Sequence, residues 1–179
     1  MPSETYDLNP VSRITVGAIG KPGKRVFFIQ AHQGDITISL KLEKEQVYAL
    51  ARGIDAMFEE LEEKELRPIS ESEEPPESDL QPQEPIDLAF VVGQMGLVFD
   101  QATDRLVLVL QEVKGDEEEG EPMVARFWAT LGQMRALSRL AKQIVAQGRP
   151  ICPLCQQPID PDGHFCPKGN GHGRRIMEV

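Results

Sequence analysis

The residues best equipped for chemistry sit together near one end of the chain. All three cysteines and two of the three histidines fall in CPLCQQPIDPDGHFCPKGNGH, residues 152–172. A Cys-Pro-x-Cys turn points two thiolates at one centre, because Pro153 fixes a backbone dihedral and the tight turn lets amide groups donate to sulfur. Tetrahedral zinc then needs two more soft or borderline ligands, and Cys166 with one imidazole supplies them. His164 is the favoured fourth ligand, although its spacing of two from Cys166 demands a bent backbone. His172, in a glycine-rich loop six residues beyond Cys166, is the alternative.

The loop from Cys155 to His164 is rich in Pro and Asp, suited to folding back as a ribbon-like knuckle, and Asp160 and Asp162 read as turn formers. Leu154, Ile159 and Phe165 are its only large apolar side chains, too few for a core, so metal binding would have to offset the entropy of ordering it. A disulfide framework is disfavoured by the odd cysteine count. A thioredoxin-like pair would open a helix after a strand, whereas Cys152 and Cys155 follow a helix and lead into proline-rich coil. A catalytic metal needs an open coordination position, and with four soft donors at hand the site reads as closed and structural.

Elsewhere the chain offers little catalytic pattern. Gly17, Gly20 and Gly23 form a loose glycine series, but residues 21–24, KPGK, read as a hairpin turn rather than a phosphate cradle, so a phosphate role for Lys21, Lys24 and Arg25 is a minor reading. There is no Gly-x-Ser-x-Gly elbow and no His-Glu-x-x-His helix. Phe127 and Trp128 read as core, and His32, before a turn at a strand end, as a surface histidine. Lys168, Arg174 and Arg175 beside a zinc ribbon are a weak nucleic-acid footprint.

The net charge of −10 is unevenly distributed. Residues 70–85 (SESEEPPESDLQPQEP) hold six acids and Asp116–Glu121 five, with no Lys or Arg in either, so the remainder is close to neutral. Both runs read as solvated linker and loop, with docking of a basic partner as the lesser reading. No stretch approaches the roughly 20 apolar residues of a membrane span, and the amino terminus lacks a basic region followed by an apolar block, so a cytoplasmic protein is expected.

The elements that must carry the tail appear when the chain is laid against itself. Residues 46–52 (QVYALAR) match 133–139 (QMRALSR) at an offset of 87 that continues through Ile54/Ala141, Met57/Ile144 and Phe58/Val145. These positions are apolar at spacings of three and four, which places amphipathic helices near 43–65 and 130–148. Upstream, residues 16–20 answer to 92–96, and 25–30 to 105–111. Strands are expected at 26–31 and 36–40, joined by a Gln33-Gly34-Asp35 turn, and at 89–98, 106–113 and 123–129. Leu106 to Leu110 is apolar on both faces and therefore central in a sheet.

The expected fold is α+β: two pseudo-symmetric β-β-β-α repeats sharing one core, plus a small C-terminal zinc ribbon. The boundaries are 1–69 for the first repeat, 70–85 for an acidic Pro-rich linker, 86–149 for the second repeat and 150–179 for the ribbon. Leu80, the only apolar residue of the linker, cannot by itself offset the ordering of sixteen residues. A single sheet with coincidental likeness is the alternative, but Gln46/Gln133 and Arg52/Arg139 match at positions where burial does not require it.

Residues 152–155, the DPDGHFCP run through His164 and Cys166, Asn170 and Gly171, residues 20–30 (GKPGKRVFFIQ) and residues 42–46 together resemble the bacterial domain-of-unknown-function family numbered 3090, over almost the whole chain. The resemblance implies that the position of His172 is often aromatic, favouring His164 as ligand. It also implies gene neighbours like a histidine phosphatase and a kinase, and hence a candidate protein partner, without an activity. The expectation from sequence is a non-enzymatic interaction or adaptor module with structural zinc. A nucleic-acid binder using the ribbon and basic terminus is the second reading, and a phosphate-linked enzyme the third.

Overall fold

A computed structural model describes residues 5–21, 24–64 and 74–147. Their order is β1 (Thr5–Leu8), β2 (Arg13–Ile19), β3 (Val26–Gln33), β4 (Ile36–Leu42), α1 (Lys44–Glu63), a short 3-10 helix (Glu77–Leu80), β5 (Leu88–Asp100), β6 (Arg105–Glu112), β7 (Val124–Thr130) and α2 (Leu131–Ala146). The fold is α+β, with two α-helices and a seven-stranded mixed sheet in the order β1-β7-β6-β5-β4-β3-β2. Helix and strand positions expected from periodicity agree with this to within a few residues. β1 and β2 are not among the expected strands: four residues are too few to establish a pattern, and the run 13–19 is buried on both faces with Gly17 inside it, so it shows no alternation.

Neighbouring strands β3–β4, β5–β6 and β6–β7 are antiparallel, as short connections require. Two parallel pairings knit the halves: β1 with β7, where Thr5 faces Val124, and β4 with β5, where Ser39 faces Leu88. β5 is long enough to serve two neighbours. Its start pairs with β4, and after an irregularity at Val92/Gln94 the remainder pairs with β6. β1 and β2 divide the same work between two strands. Only residues 9–12 separate them, yet β1 borders β7 and β2 lies beside β3. Val11 N donates to Trp128 O on β7 at 2.8 Å and Ser12 N to His32 O on β3 at 2.7 Å. The two ends of the strand order are thereby drawn together, and the sheet curls round on itself.

Alternation fills the interior of that curl. Phe27, Ile29 and Ala31 of β3, Ile38, Leu40 and Leu42 of β4, Leu106, Leu108 and Leu110 of β6, and Ala125, Phe127 and Ala129 of β7 point inward. Val47, Leu50 and Ile54 of α1 and Met134, Leu137 and Ala141 of α2 join the same apolar cluster, so both halves share one core. β6 is interior to the sheet, as its two-sided apolarity predicts.

Both helices start alike. Gln46 Oε1 accepts from Glu43 N at 2.7 Å, and Gln133 Oε1 from Thr130 N at 2.9 Å, so each third-position glutamine satisfies an amide at its helix start. Each also reaches back to a strand interruption. Gln46 Nε2 donates to Val92 O and Gly93 O at 2.9 and 3.1 Å, and Gln133 Nε2 to Val11 O and Ser12 O, both at 3.4 Å.

The acidic segment departs from expectation over its described part. Residues 74–85 lie along the sheet, with Leu80 only 3% exposed. Apolar area alone does not order this segment; hydrogen bonds from sheet side chains to its backbone supply the rest. Asp116–Glu121, by contrast, is an exposed loop. Of the described residues, Ile19–Lys21, Lys24, Arg25, Ala146 and Gln147 belong to a second compact unit, within which Arg25 Nη1 donates to Gln147 O at 2.6 Å.

Candidate functional site

The expected zinc ligands Cys152, Cys155, His164 and Cys166, the alternative His172, and the cations Lys168, Arg174 and Arg175 lie outside the described residues. Among the described residues no group of three or more His, Cys, Asp or Glu is placed to hold a metal ion. The hairpin turn expected at residues 21–24 is closed by Lys24 N donating to Lys21 O at 2.9 Å. Phe127 is buried as expected. Trp128 is half-buried, and its indole N–H donates to Asp7 Oδ1 at 2.8 Å.

The most elaborate polar arrangement is on the outward face of β2, β3 and β4, where residues 76–83 lie as a strap. Strand register puts Phe28, Gln30 and His32 opposite Lys41, Ser39 and Thr37 on that face. Arg13 on β2 grips the strap by its carbonyls: Nη2 donates to Ser78 O at 2.8 Å and Gln81 O at 3.1 Å, and Nε to Asp79 O at 3.2 Å. A guanidinium suits this task, because its fork of donors meets the carbonyls left open where a short helix ends. Thr15 Oγ1 donates to Leu80 O at 2.5 Å. Beyond Leu80, a Cβ on Gly17 would lie 2.5 Å from Phe28 Cζ and 3.0 Å from Pro82 Cγ, so only a bare backbone lets the ring and the strap approach this closely. At the other end Arg139 on α2 pairs with Glu74 at 3.1 Å and Glu77 at 3.2 Å, contacts that raise its pKa, chiefly through the Glu74 hydrogen bond.

Gln30, held by the backbone of Gln83, and His32 beside it are both buried. The expectation of a surface histidine is corrected: position 32 sits at the end of β3, yet the residue is only 5% exposed, packed between Gln30 and Thr37. Burial, and secondarily the positive charge of Arg13, lowers its pKa from 6.5. The imidazole lies 3.1 Å from Gln30 Oε1 and 2.9 Å from Thr37 Oγ1. Beside it opens a cleft of about 160 Å³ lined by Thr37, Ser39, Gln83, Glu84, Pro85 and Asp87. Its walls are hydroxyl, amide and carboxylate.

Sequence reasoning missed Arg13, Thr15 and Gln30. Arg13 and Thr15 look like ordinary polar strand residues, and the sole hint was Gln30, a polar residue in an otherwise apolar run. Among the described residues no helix is long and apolar enough to cross a membrane. No curated protein and no solved structure matches the chain. Residues 6–166, from the first strand through Cys166, match the family described as Protein of unknown function (DUF3090), and the chain belongs to that family.

Proposed function

We propose that this protein is a zinc-stabilised interaction module: a duplicated β-β-β-α body carrying a C-terminal ribbon whose one structural zinc is held by Cys152, Cys155, His164 and Cys166. The carrying observation is the donor set itself, three thiols and an imidazole within fifteen residues, in a segment with three large apolar side chains. The matched family region supports His164 over His172, since it ends at Cys166 and includes all four favoured ligands. Three thiols free for metal fit a reducing compartment such as the cytoplasm.

Duplication is supported by contacts between residues 87 apart in sequence. Ser138 Oγ donates to Ala51 O at 3.3 Å, and Lys142 pairs with Asp55. Residues near a two-fold axis meet their own counterparts, which is what these pairs do at the offset read from the helices. The matched roles of Gln46 and Gln133 point the same way.

A rigid ribbon on a rigid body presents a surface for a protein partner, and a protein like a histidine phosphatase or a kinase is the first to seek. Elemental analysis of reduced, purified full-length protein is expected to find one zinc per chain. Cys155→Ser and His164→Ala should lose it while His172→Ala keeps it; metal-free protein with an ordered tail overturns the reading. Loss of heparin or RNA retention on Arg174→Ala with Arg175→Ala would favour the nucleic-acid reading instead.

A further inference from the structure

The polar network beneath the strap has a countable set of hydrogens. Both backbone groups of Gln83 fix the Gln30 carboxamide: Nε2 donates to Gln83 O at 2.9 Å, and Oε1 accepts from Gln83 N at 2.8 Å. Turning that amide over would set donor against donor and acceptor against acceptor. Nε2 also donates to Ser39 Oγ at 3.1 Å, so Gln30 offers His32 only its oxygen. The imidazole Nε2 must therefore carry a hydrogen, and in the neutral ring Nδ1 accepts from the Thr37 hydroxyl. Both nitrogens are thus satisfied in the neutral form, which burial favours.

A second proton would sit on Nδ1. It would oblige the Thr37 hydroxyl to turn from donor to acceptor and place a cation near Arg13, on a residue only 5% exposed. The cost falls if the strap lifts and water reaches the ring. We propose that residues 76–83 form a pH-sensitive latch, in which protonation of His32 loosens their hold on the outer face of β2, β3 and β4.

Other charged groups are arranged about the ring: Arg13 on β2, Lys41 on the same face of β4, Asp79 in the strap, and Glu84 and Asp87 on the segment entering β5. Burial depresses proton affinity in the latched state, and the released ring returns toward the ordinary value of 6.5. The open form thus binds the proton more tightly. Above that value both forms are neutral and the latch is at full strength; below it, one proton raises the opening constant by up to about tenfold per pH unit until the latched pKa is reached. Opening uncovers Phe28 and the seat of Leu80, an apolar patch on β2 and β3.

Amide hydrogen exchange on the intact protein tests this, with rates corrected for intrinsic pH dependence. Between pH 7.5 and 5.5 protection of the Gln83 amide should fall several-fold relative to Leu108 at the centre of β6, and Glu84→Gln with Asp87→Asn should leave that fall in place. In His32→Gln the fall should vanish; an unchanged fall in that variant, or none in the natural protein, overturns the proposal. Should His32→Gln fail to fold, the ring and the Gln83 amide are titrated together by NMR. A shared midpoint below 6.5 supports the latch, and separate midpoints overturn it.

Discussion

Gln46 and Gln133 each do two things with one carboxamide: the oxygen accepts an amide at a helix start, and the nitrogen donates to carbonyls where strand pairing is interrupted. Interrupted strands leave carbonyls without ladder partners, and a buried carbonyl left so costs about 1–3 kcal/mol. Gln46→Ala and Gln133→Ala should therefore each lower stability by about 1–2 kcal/mol in denaturant unfolding. Gln46→Glu should recover only part of the loss, because it keeps the acceptor and lacks the donors. These residues were legible in the sequence as a matched polar pair on otherwise apolar helix faces, and their geometry supplies a reason for the match. His32 was not legible. Its burial depends on neighbours that only the folded sheet supplies, Gln30, Thr37 and Arg13 among them, and nothing at position 32 itself announces them.

At the scale of elements, the strap shows how a segment poor in apolar residues can still be ordered. Leu80 is its anchor, but six hydrogen bonds with the side chains of Arg13, Thr15 and Gln30 address its backbone rather than its side chains. Composition is blind to such bonds, so residues 70–85 read as solvated linker. Gly17→Ala should lower stability by about 1–3 kcal/mol, because its methyl would collide with the Phe28 ring under Pro82. Leu80→Ala should cost about 2–3 kcal/mol and speed proteolysis between residues 76 and 83, with the peptide map locating the cut. Cleavage confined to other segments would show that Leu80 is not the anchor. The regular helices and strands were legible because period and turn chemistry are local. β1 and β2 were not, since β1 pairs with a strand over a hundred residues away and β2 is buried on both faces and shows no alternation.

For the whole molecule, a single apolar cluster spanning both halves and two parallel pairings between them leave neither half a complete core. Unfolding of the body should be a single transition, with Trp128 fluorescence on β7 and the His32 resonance on β3 giving the same midpoint. Two midpoints would mean that the halves are separately stable. The α+β class, the helix pair and the interior position of β6 followed from the sequence. Curling of the sheet did not, because it depends on which distant strands choose each other.

That choice has a consequence during synthesis. Thr5 pairs with Val124, so on the growing chain β1 has no sheet partner until well over a hundred further residues have been added. At about 5–20 residues per second the wait is on the order of ten seconds. Throughout it Tyr6 and Leu8 remain open to solvent or to a chaperone, and closure of the ring through β1 belongs among the last folding events, with correspondingly slow kinetics.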